Sequence, residues 1–166
     1  KTFQNIKIDG KYIIGSKEAL NLIEVPKKII IVGSGAIGCE FAFYFNSFGA
    51  DVEIIEMQKR ILPLEDSEIS AALKDSFISS GIKIHNNSKV QSIDKLKTKI
   101  KVNVVTEGGS LQIDGNIALL AIGVEGNIDN IGLQDIGVQS ENGSISINNR
   151  CQTNISNIYA IGDVAG

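Results

Sequence analysis

The stretch Lys28–Phe41, KIIIVGSGAIGCEF, places an unbroken apolar run directly before three glycines. Gly33, Gly35 and Gly38 have the spacing G-x-G-x-x-G. A buried strand that ends in such a turn and continues as a helix is typical of a site for the pyrophosphate of a dinucleotide. There Gly33 permits the tight turn, Gly35 lets the backbone approach the phosphates, and Gly38 lets the helix pack closely on the strand. The stretch therefore predicts a dinucleotide-binding turn.

The residues after the glycines continue the pattern with a helix and a second strand. From Ala36 the apolar side chains recur at helical spacing as far as Phe48, and Gly49 is a natural stop. Asp51–Glu56 then has the composition of a short strand. Together these elements predict a β-α-β unit, in which the first N–H groups of the helix and its positive dipole end face the phosphates.

Glu56 stands at the end of that second strand, where an acidic residue can accept hydrogen bonds from a ribose diol. A carboxylate also repels a 2′-phosphate, because like charges about 4 Å apart cost on the order of 4 kcal/mol at an effective dielectric of about 20. Lys59 and Arg60 would offset this repulsion if they turned inward, but we expect them to be solvated. Glu56 therefore favours NAD over NADP.

The rest of the sequence predicts further strands and one more helix. A helix capped by Asp66 or Ser67 should end at Gly81, and Gly108–Gly109 should join two antiparallel, half-exposed strands. The other expected elements are strands at 82–85, 117–122 and 158–161, the last two buried, and a hairpin turn at 142–143. We therefore expect an α/β fold, a Rossmann-like parallel sheet with a β-α-β dinucleotide fold, plus an antiparallel β-meander.

Composition argues against several classes of function. The chain has 16 basic and 19 acidic residues in 166, without a Lys/Arg run, so a nucleic-acid partner is not expected. Its longest apolar run, Ile117–Ile122, is far shorter than the ~20 residues of a membrane span. No signal sequence opens it, so we expect a cytoplasmic location, or the mitochondrial matrix in a eukaryote. Cys39 and Cys151 lack redox or metal-ligand spacing, which favours buried inert thiols, and His85 is expected to be a surface or structural residue rather than a base.

Motifs along the whole chain match a known family. The matching positions are Asp9–Gly10, Ser16, Ala19–Leu20, Pro26, Gly33–Phe41, Ile54–Glu56, Arg60–Pro63, Ala121–Gly123, Thr153–Asn154 and Ile158–Asp163. They resemble the dihydrolipoamide dehydrogenases, flavoprotein disulfide reductases with two dinucleotide-binding domains. The resemblance implies an NAD-binding domain at 26–124, flanked by partial FAD-domain segments at 1–25 and 125–166. It implies a full-length homodimer that passes electrons from dihydrolipoyl groups of 2-oxoacid dehydrogenase complexes through a disulfide and FAD to NAD.

The resemblance also implies roles for individual residues. Asp163 stands in a T-x-x-x-x-h-y-A-x-G-D motif (h apolar, y aromatic) whose aspartate binds the ribityl chain of FAD. Glu40 matches a glutamate near the flavin and the nicotinamide, and Val90 an adenine-side contact. The remaining implied cofactor contacts are Ala36 and Ile37, which would shape the nicotinamide slot, and the strand-end residues Ala121, Ile122 and Gly123.

The chain also departs from the family. Val124–Gly126 lacks the arginine and proline that members often carry after A-I-G, so no role of that arginine is transferred. The redox-active C-x-x-x-x-C pair is expected before Lys1, and the His and Glu acid–base pair beyond Gly166. We therefore assign no catalytic residue and no metal ligand, and we expect this chain alone to be inactive and unable to retain FAD.

Two alternatives stay open at this stage. The chain could be the NAD-binding domain of another flavin disulfide reductase, such as a mercuric or coenzyme A disulfide reductase, or of an NADH oxidase. Glutathione reductase and its relatives are disfavoured, because they typically carry basic residues where Glu56 stands. The chain could also be an NAD-binding module without chemistry of its own. A C-x-x-x-x-C motif in the preceding coding sequence and a His-x-x-x-x-Glu pair after it would favour the enzyme.

Overall fold

The computed structural model describes residues 6–166, which form two compact units. The first unit ends at Gly123, and the second comprises Val124–Gly166. Within the described range, none of the helices has the length and apolar character needed to cross a membrane.

The first unit contains a parallel sheet and an antiparallel sheet. Its strands are β1 (Ile13–Ile14), β2 (Lys28–Val32), β3 (Asp51–Ile55), β4 (Lys83–His85), β5 (Lys89–Lys95), β6 (Ile100–Thr106), β7 (Gly109–Gly115) and β8 (Ile117–Leu120). Five of them form a sheet in the order β1-β8-β2-β3-β4, in which every neighbouring pair is parallel. The Rossmann-like parallel sheet expected from the sequence is confirmed.

The helices of this unit are α1 (Ser16–Ala19), α2 (Ala36–Ser47) and α3 (Ser67–Ser79). Asp66 caps α3, because its side chain accepts a hydrogen bond from Glu68 N at 2.8 Å. The glycines expected to stop α2 and α3, Gly49 and Gly81, have φ values of +87° and +89°. This left-handed conformation ends a helix at little cost only in glycine.

The central strand β2 is buried on both faces, which explains its continuous apolar composition. Ile29 and Ile31 are fully buried in a cluster that contains Phe45 of α2 and Phe77 of α3. On the opposite face, Ile30 and Val32 belong to a second cluster with residues of the antiparallel sheet, Val90, Val102 and Ile113. Each face of β2 therefore has its own apolar partner.

The antiparallel sheet has the strand order β5-β6-β7. Its central strand β6 alternates buried and half-buried positions as its sequence predicted, and Val102 pairs with Ile93 on one side and Ile113 on the other. The turn between β6 and β7 lies at Glu107–Gly108, and Gly109, which the sequence placed in the turn, is the first residue of β7. The expected antiparallel meander is confirmed, with β5 as a strand that the sequence had not indicated.

The second unit has little regular structure. It contains a hairpin of β9 (Ser140–Glu141) and β10 (Ser144–Ile145), and a short 3-10 helix at Asp163–Ala165. The hairpin turn at Asn142–Gly143 was expected, and its φ values of 52° and 80° are those that asparagine and glycine tolerate. A small cluster of Val138, Ile145 and Ala160 forms the core of this unit.

The prediction of a buried strand at 158–161 is wrong. Among the residues described in the second unit, this segment pairs only through an isolated bridge between Gln152 and Tyr159. Tyr159 is 59% exposed and Ile161 is 75% exposed, whereas Ala160 is buried. An apolar run becomes a sheet strand only where neighbouring strands supply its hydrogen bonds, and Val124–Gly166 provides no such neighbour among its described residues.

Residues before Pro26 contribute to the parallel sheet of the first unit. Ile13 and Ile14 of β1 pair with Ala118 and Leu119 of β8. Asp9 accepts hydrogen bonds from three backbone N–H groups in the turn before β1. The assignment of residues 1–25 and 125–166 to an FAD-binding domain stays a prediction.

A buried charge cluster joins three strands of the parallel sheet. Glu53 of β3 is 6% exposed. It accepts a hydrogen bond from Lys28 Nζ at 2.6 Å, and His85 Nε2 lies 2.9 Å from its Oε2. Lys83 Nζ is 3.4 Å away. Burial by itself would raise the pKa of Glu53, but the bonds to Lys28 and His85 and the charges of Lys28 and Lys83 lower it to about 2. His85, the only histidine, thus has a structural partner.

Replacing Glu53 with glutamine should destabilise the first unit in a pH-dependent way. A carboxyl pKa lowered from 4.5 to about 2 contributes stability that is present above pH 4.5 and is lost as the pH falls towards 2. The shift corresponds to about 3 kcal/mol. Urea unfolding should show a loss of about 2–3 kcal/mol for Glu53→Gln at pH 7 and a narrowing difference below pH 4.5. Asp114→Asn, which removes an exposed pair with Lys99, is the control and should change little. If the difference in unfolding free energy between Glu53→Gln and the unmutated chain did not vary with pH, the lowered pKa of Glu53 would be contradicted.

Candidate functional site

The carboxyl ends of β2 and β8 meet at one edge of the parallel sheet. From β2 the chain continues through α2, β3 and α3 to β4 on one side, whereas β8 and β1 lie on the other side. The point between β2 and β8 is therefore the topological switch point, where open α/β sheets bind their ligands. Ala121 N donates a hydrogen bond to Val32 O at 2.8 Å, so the ends of the two strands are held together at this point.

Two of the three motif glycines are required by the packing of the protein itself. Gly33 has φ +99°, and a Cβ atom at this position would lie 2.5 Å from Ala121 O. A Cβ atom on Gly38 would lie 2.2 Å from Gly33 O and 3.3 Å from the Ala121 side chain. These are backbone and core atoms that have no room to withdraw. The tight turn at Gly33 and the close packing at Gly38 agree with the roles expected from the sequence.

Gly35 differs from both. Its φ of −66° is open to any residue, and a Cβ atom built on it would meet nothing within 4 Å. Neither conformation nor packing therefore requires glycine here. The position is exposed, at the carboxyl edge of the sheet and directly before α2. A side chain would fill the open space in front of the helix, so the absence of one suits a ligand that approaches the backbone closely.

The start of α2 is open to an anion. Gly35 is its N-cap residue, no side chain caps it, and its first turn has no acidic residue. The contrast with α3 is direct, because Asp66 caps that helix and Glu68 lies in its first turn. The first N–H groups of a helix have no partner within the helix, and they carry the positive end of its dipole. The N-terminus of α2 can therefore bind phosphate oxygens through the backbone.

Glu56 is tied to the glycine turn. It is 6% exposed, and its Oε2 accepts hydrogen bonds from Ser34 N at 2.8 Å and from Ser34 Oγ at 2.6 Å. Its Oε1 accepts a hydrogen bond from Gln58 N at 2.7 Å. The carboxylate follows β3, where the sequence placed it, and these bonds fix it next to the glycine turn. Its contact with a ribose stays a prediction.

The two cations that follow Glu56 behave differently from each other. Lys59 is exposed, as expected. Arg60 is half-buried, and its Nη2 donates hydrogen bonds to Pro63 O at 3.2 Å and Glu65 O at 3.0 Å. The expectation that Arg60 is solvated is therefore wrong, because its guanidinium binds carbonyl groups of its own loop. Those bonds hold the Arg60 charge in the loop at 60–65.

The structure brings most of the other expected site residues to the same edge. Ala36 and Glu40 are exposed on the first turns of α2, and Ile37 is half-buried there. At the end of β8, Ala121 is buried, Ile122 is half-buried, and Gly123 is exposed with φ +103°. Their contacts with a cofactor stay predictions.

The other two expected contacts, Val90 and Asp163, belong to other elements of the chain. Val90 of β5 is only 1% exposed and packs in the core cluster that contains Ile30 and Val32 of β2, so its side chain is not open to a ligand. Asp163 belongs to the second unit, where it is exposed and begins the 3-10 helix after Gly162. The adenine-side role of Val90 and the flavin role of Asp163 stay predictions.

Cys39 is not suited to nucleophilic chemistry. Burial raises the pKa of its thiol to about 11, and the negative charges of Glu56 and Glu40 add to this effect. Cys151 is half-buried rather than buried, and both thiols are free. Across residues 6–166, His, Cys, Asp and Glu side chains form no group of three that could hold a metal ion.

Ser34 and Leu62 take part in the site although the sequence did not point to them. Ser34 is completely buried, and all of its polar groups are bonded: its N and Oγ donate to Glu56, and its O accepts from Leu62 N at 2.8 Å. The position of Ser34 between two motif glycines was visible in the sequence. Its partners Glu56 and Leu62 were not, because they lie 22 or more residues away and are brought near only by the fold.

A strand, a glycine turn and an uncapped helix at the switch point of a parallel sheet define the class of this protein, which has a dinucleotide-binding fold. The chain belongs to the pyridine nucleotide-disulphide oxidoreductase family, whose family model matches residues 4–166.

Sequence relatives within this family are dihydrolipoyl dehydrogenases. The one from Chlorobaculum tepidum is 42% identical over 100% of this chain and 36% of its own length. The one from Bacillus subtilis is 40% identical over 97% of this chain and 34% of its own length. This chain therefore spans about a third of the length of these relatives.

Solved structures share the fold over the whole chain. LpdA from Mycobacterium tuberculosis has a TM-score of 0.88 at 28% identity, covering 100% of this chain and 36% of that protein. The HOCl-induced flavoprotein disulfide reductase RclA from Escherichia coli has a TM-score of 0.83 at 28% identity, covering 99% of this chain and 38% of that protein.

Proposed function

We propose that this chain is the NAD-binding part of a dihydrolipoyl dehydrogenase. The observation that carries the proposal is Gly35, a glycine that neither backbone conformation nor packing requires, placed before an uncapped helix at the switch point of the sheet. A dinucleotide pyrophosphate fits this place because it needs N–H donors, a positive field and no intervening side chain. The 42% identity to a dihydrolipoyl dehydrogenase over the whole chain supports the choice within the family.

Each residue of the site has a defined task in this proposal. The backbone at Gly35, Ala36 and Ile37 would hold the pyrophosphate, and Glu56 would accept a hydrogen bond from the ribose of the adenosine half. Ala36 and Ile37 would shape the nicotinamide slot, and Glu40, one turn into α2, would lie near the nicotinamide and the flavin. NAD supplies the hydride-accepting ring when it is bound. The chain itself positions that ring, and positioning alone accounts for a large share of the rate in reactions between two bound groups.

The activity of the whole protein is part of the proposal. Dihydrolipoyl groups of 2-oxoacid dehydrogenase complexes would be oxidised through a disulfide and FAD, and NAD would be reduced. Asp163 would contact the ribityl chain of FAD. The protein would act as a homodimer in the cytoplasm, or in the mitochondrial matrix of a eukaryote. The names of the sequence relatives support this assignment, and the family description supports the use of a pyridine nucleotide.

The choice of nucleotide tests the proposal. In fluorescence titrations the chain should bind NADH more tightly than NADPH, because Glu56 repels the 2′-phosphate. Coulomb repulsion at about 4 Å predicts a preference of up to about a thousandfold. Glu56→Ala should reduce the ratio of NADH affinity to NADPH affinity at least tenfold. Glu107→Ala, which removes an exposed acid at the β6–β7 turn, is the matched control and should leave it unchanged. Equal affinities for the two nucleotides in the unmutated chain would rule out the NAD assignment.

A further inference from the structure

The side chain of Glu56 is held mainly by one neighbouring residue. A carboxylate offers about four acceptor positions. In Glu56 three of these are taken, two by the N–H and the hydroxyl of Ser34 and one by Gln58 N. The carboxylate is therefore nearly saturated by the protein, and one acceptor position on Oε1 is left for a ligand.

Ser34 is itself fixed on every side. It is 0% exposed, so its hydroxyl has no access to water, and Glu56 is its acceptor at 2.6 Å. Its carbonyl accepts hydrogen bonds from Leu62 N at 2.8 Å and from Cys39 Sγ at 3.3 Å. Flanked by Gly33, whose turn packs against Ala121, the residue has little freedom to move. A hydroxyl in such a rigid place fixes the group to which it donates.

We propose that Ser34 is a positioning residue for nucleotide selectivity, whose hydroxyl holds the Glu56 carboxylate beside the glycine turn before the nucleotide arrives. The inference rests on the proposed NAD function and adds a residue to it. A hydrogen bond from a buried hydroxyl to a carboxylate is among the stronger kinds. A carboxylate fixed in advance loses no side-chain freedom when the ribose binds, and it keeps its charge where a 2′-phosphate would lie.

The test compares the ratio of NADH to NADPH affinity in three proteins. Ser34→Ala removes only the hydroxyl, so the backbone N–H still bonds to Glu56 but the side chain loses one of its three anchors. We expect this variant to reduce the preference for NADH about tenfold. Ser34→Thr keeps the hydroxyl and should keep the preference within about twofold. If Ser34 had only a structural role, Ser34→Ala would weaken the binding of NADH and NADPH alike and leave the ratio of their affinities unchanged.

Folding is measured on the same samples. Urea midpoints of Ser34→Ala, Glu56→Ala and the double variant test the hydrogen bond without any nucleotide, because each single variant removes one partner and the two single shifts should add to more than the shift of the double variant if the groups interact. Additive shifts would overturn the proposal. So would a preference for NADH that Ser34→Ala leaves intact, and that result would not touch the proposed function. Absence of any preference in the unmutated chain would overturn both.

Discussion

Gly38→Ala is expected to destabilise the first unit by about 4 kcal/mol or more, which is enough to leave a marginal domain largely unfolded. The added Cβ would lie 2.2 Å from Gly33 O and 3.0 Å from Gly33 C. Both are backbone atoms of the tight turn after β2, so they cannot rotate out of the way as a side chain would. Alanine is the better helix former by about 1 kcal/mol, and this gain is far too small to offset the clash.

Urea unfolding measured by circular dichroism checks this expectation. A loss of 4 kcal/mol corresponds to a midpoint about 2 M lower for a domain of this size. Gly35→Ala is the matched control, because it makes the same change in the same motif where a Cβ meets nothing within 4 Å. Its cost should be at most about 1 kcal/mol, the difference between glycine and alanine at an N-cap. Equal midpoints for Gly38→Ala and the unmutated chain would show that the helix has room to move.

The elements that the sequence predicted well are those with local causes. The period of apolar residues in α2, its stop at Gly49 and the alternation in β6 depend only on neighbours along the chain. β1 was not predicted because two residues are too short to show any period, and its place is given by pairing with β8. The segment at 158–161 has the composition of a strand, but composition does not reveal whether a neighbouring strand is present.

The site was predicted in outline rather than in its contacts. The glycine motif located the turn, and the position of Glu56 after the second strand located the acid. The bonds that hold this acid come from Ser34, and the cluster around Glu53 joins residues of three strands. Such pairs depend on strand order and register, which a single sequence does not state. The three glycines also proved unequal, because only the structure shows which of them the protein needs for its own packing.

Because packing does not require glycine at position 35, a substitution there should affect nucleotide binding rather than stability. Gly35→Val should reduce NADH affinity by at least a hundredfold while the fold is kept. At Gly35 the backbone is extended, with φ −66° and ψ −176°, so a branched residue fits without strain. Its side chain would occupy the open space before α2 and keep the pyrophosphate out of reach of the N–H groups. The loss of one or two charge-assisted hydrogen bonds, at about 1.5–3 kcal/mol each, is consistent with this factor.

Titration with NADH, together with a urea midpoint for each variant, measures the two effects separately. Gly108→Val is the matched control, because it places the same side chain at an open glycine of the β6–β7 turn, where the nearest atom to a Cβ is 3.9 Å away. It should bind NADH like the unmutated chain. Gly35→Val should instead lose binding with a midpoint lowered by no more than an N-cap change allows, about 1 kcal/mol. Because Gly35 has no packing role, binding that survives this substitution would mean that the pyrophosphate does not lie at the start of α2, and the proposed site would have to be abandoned.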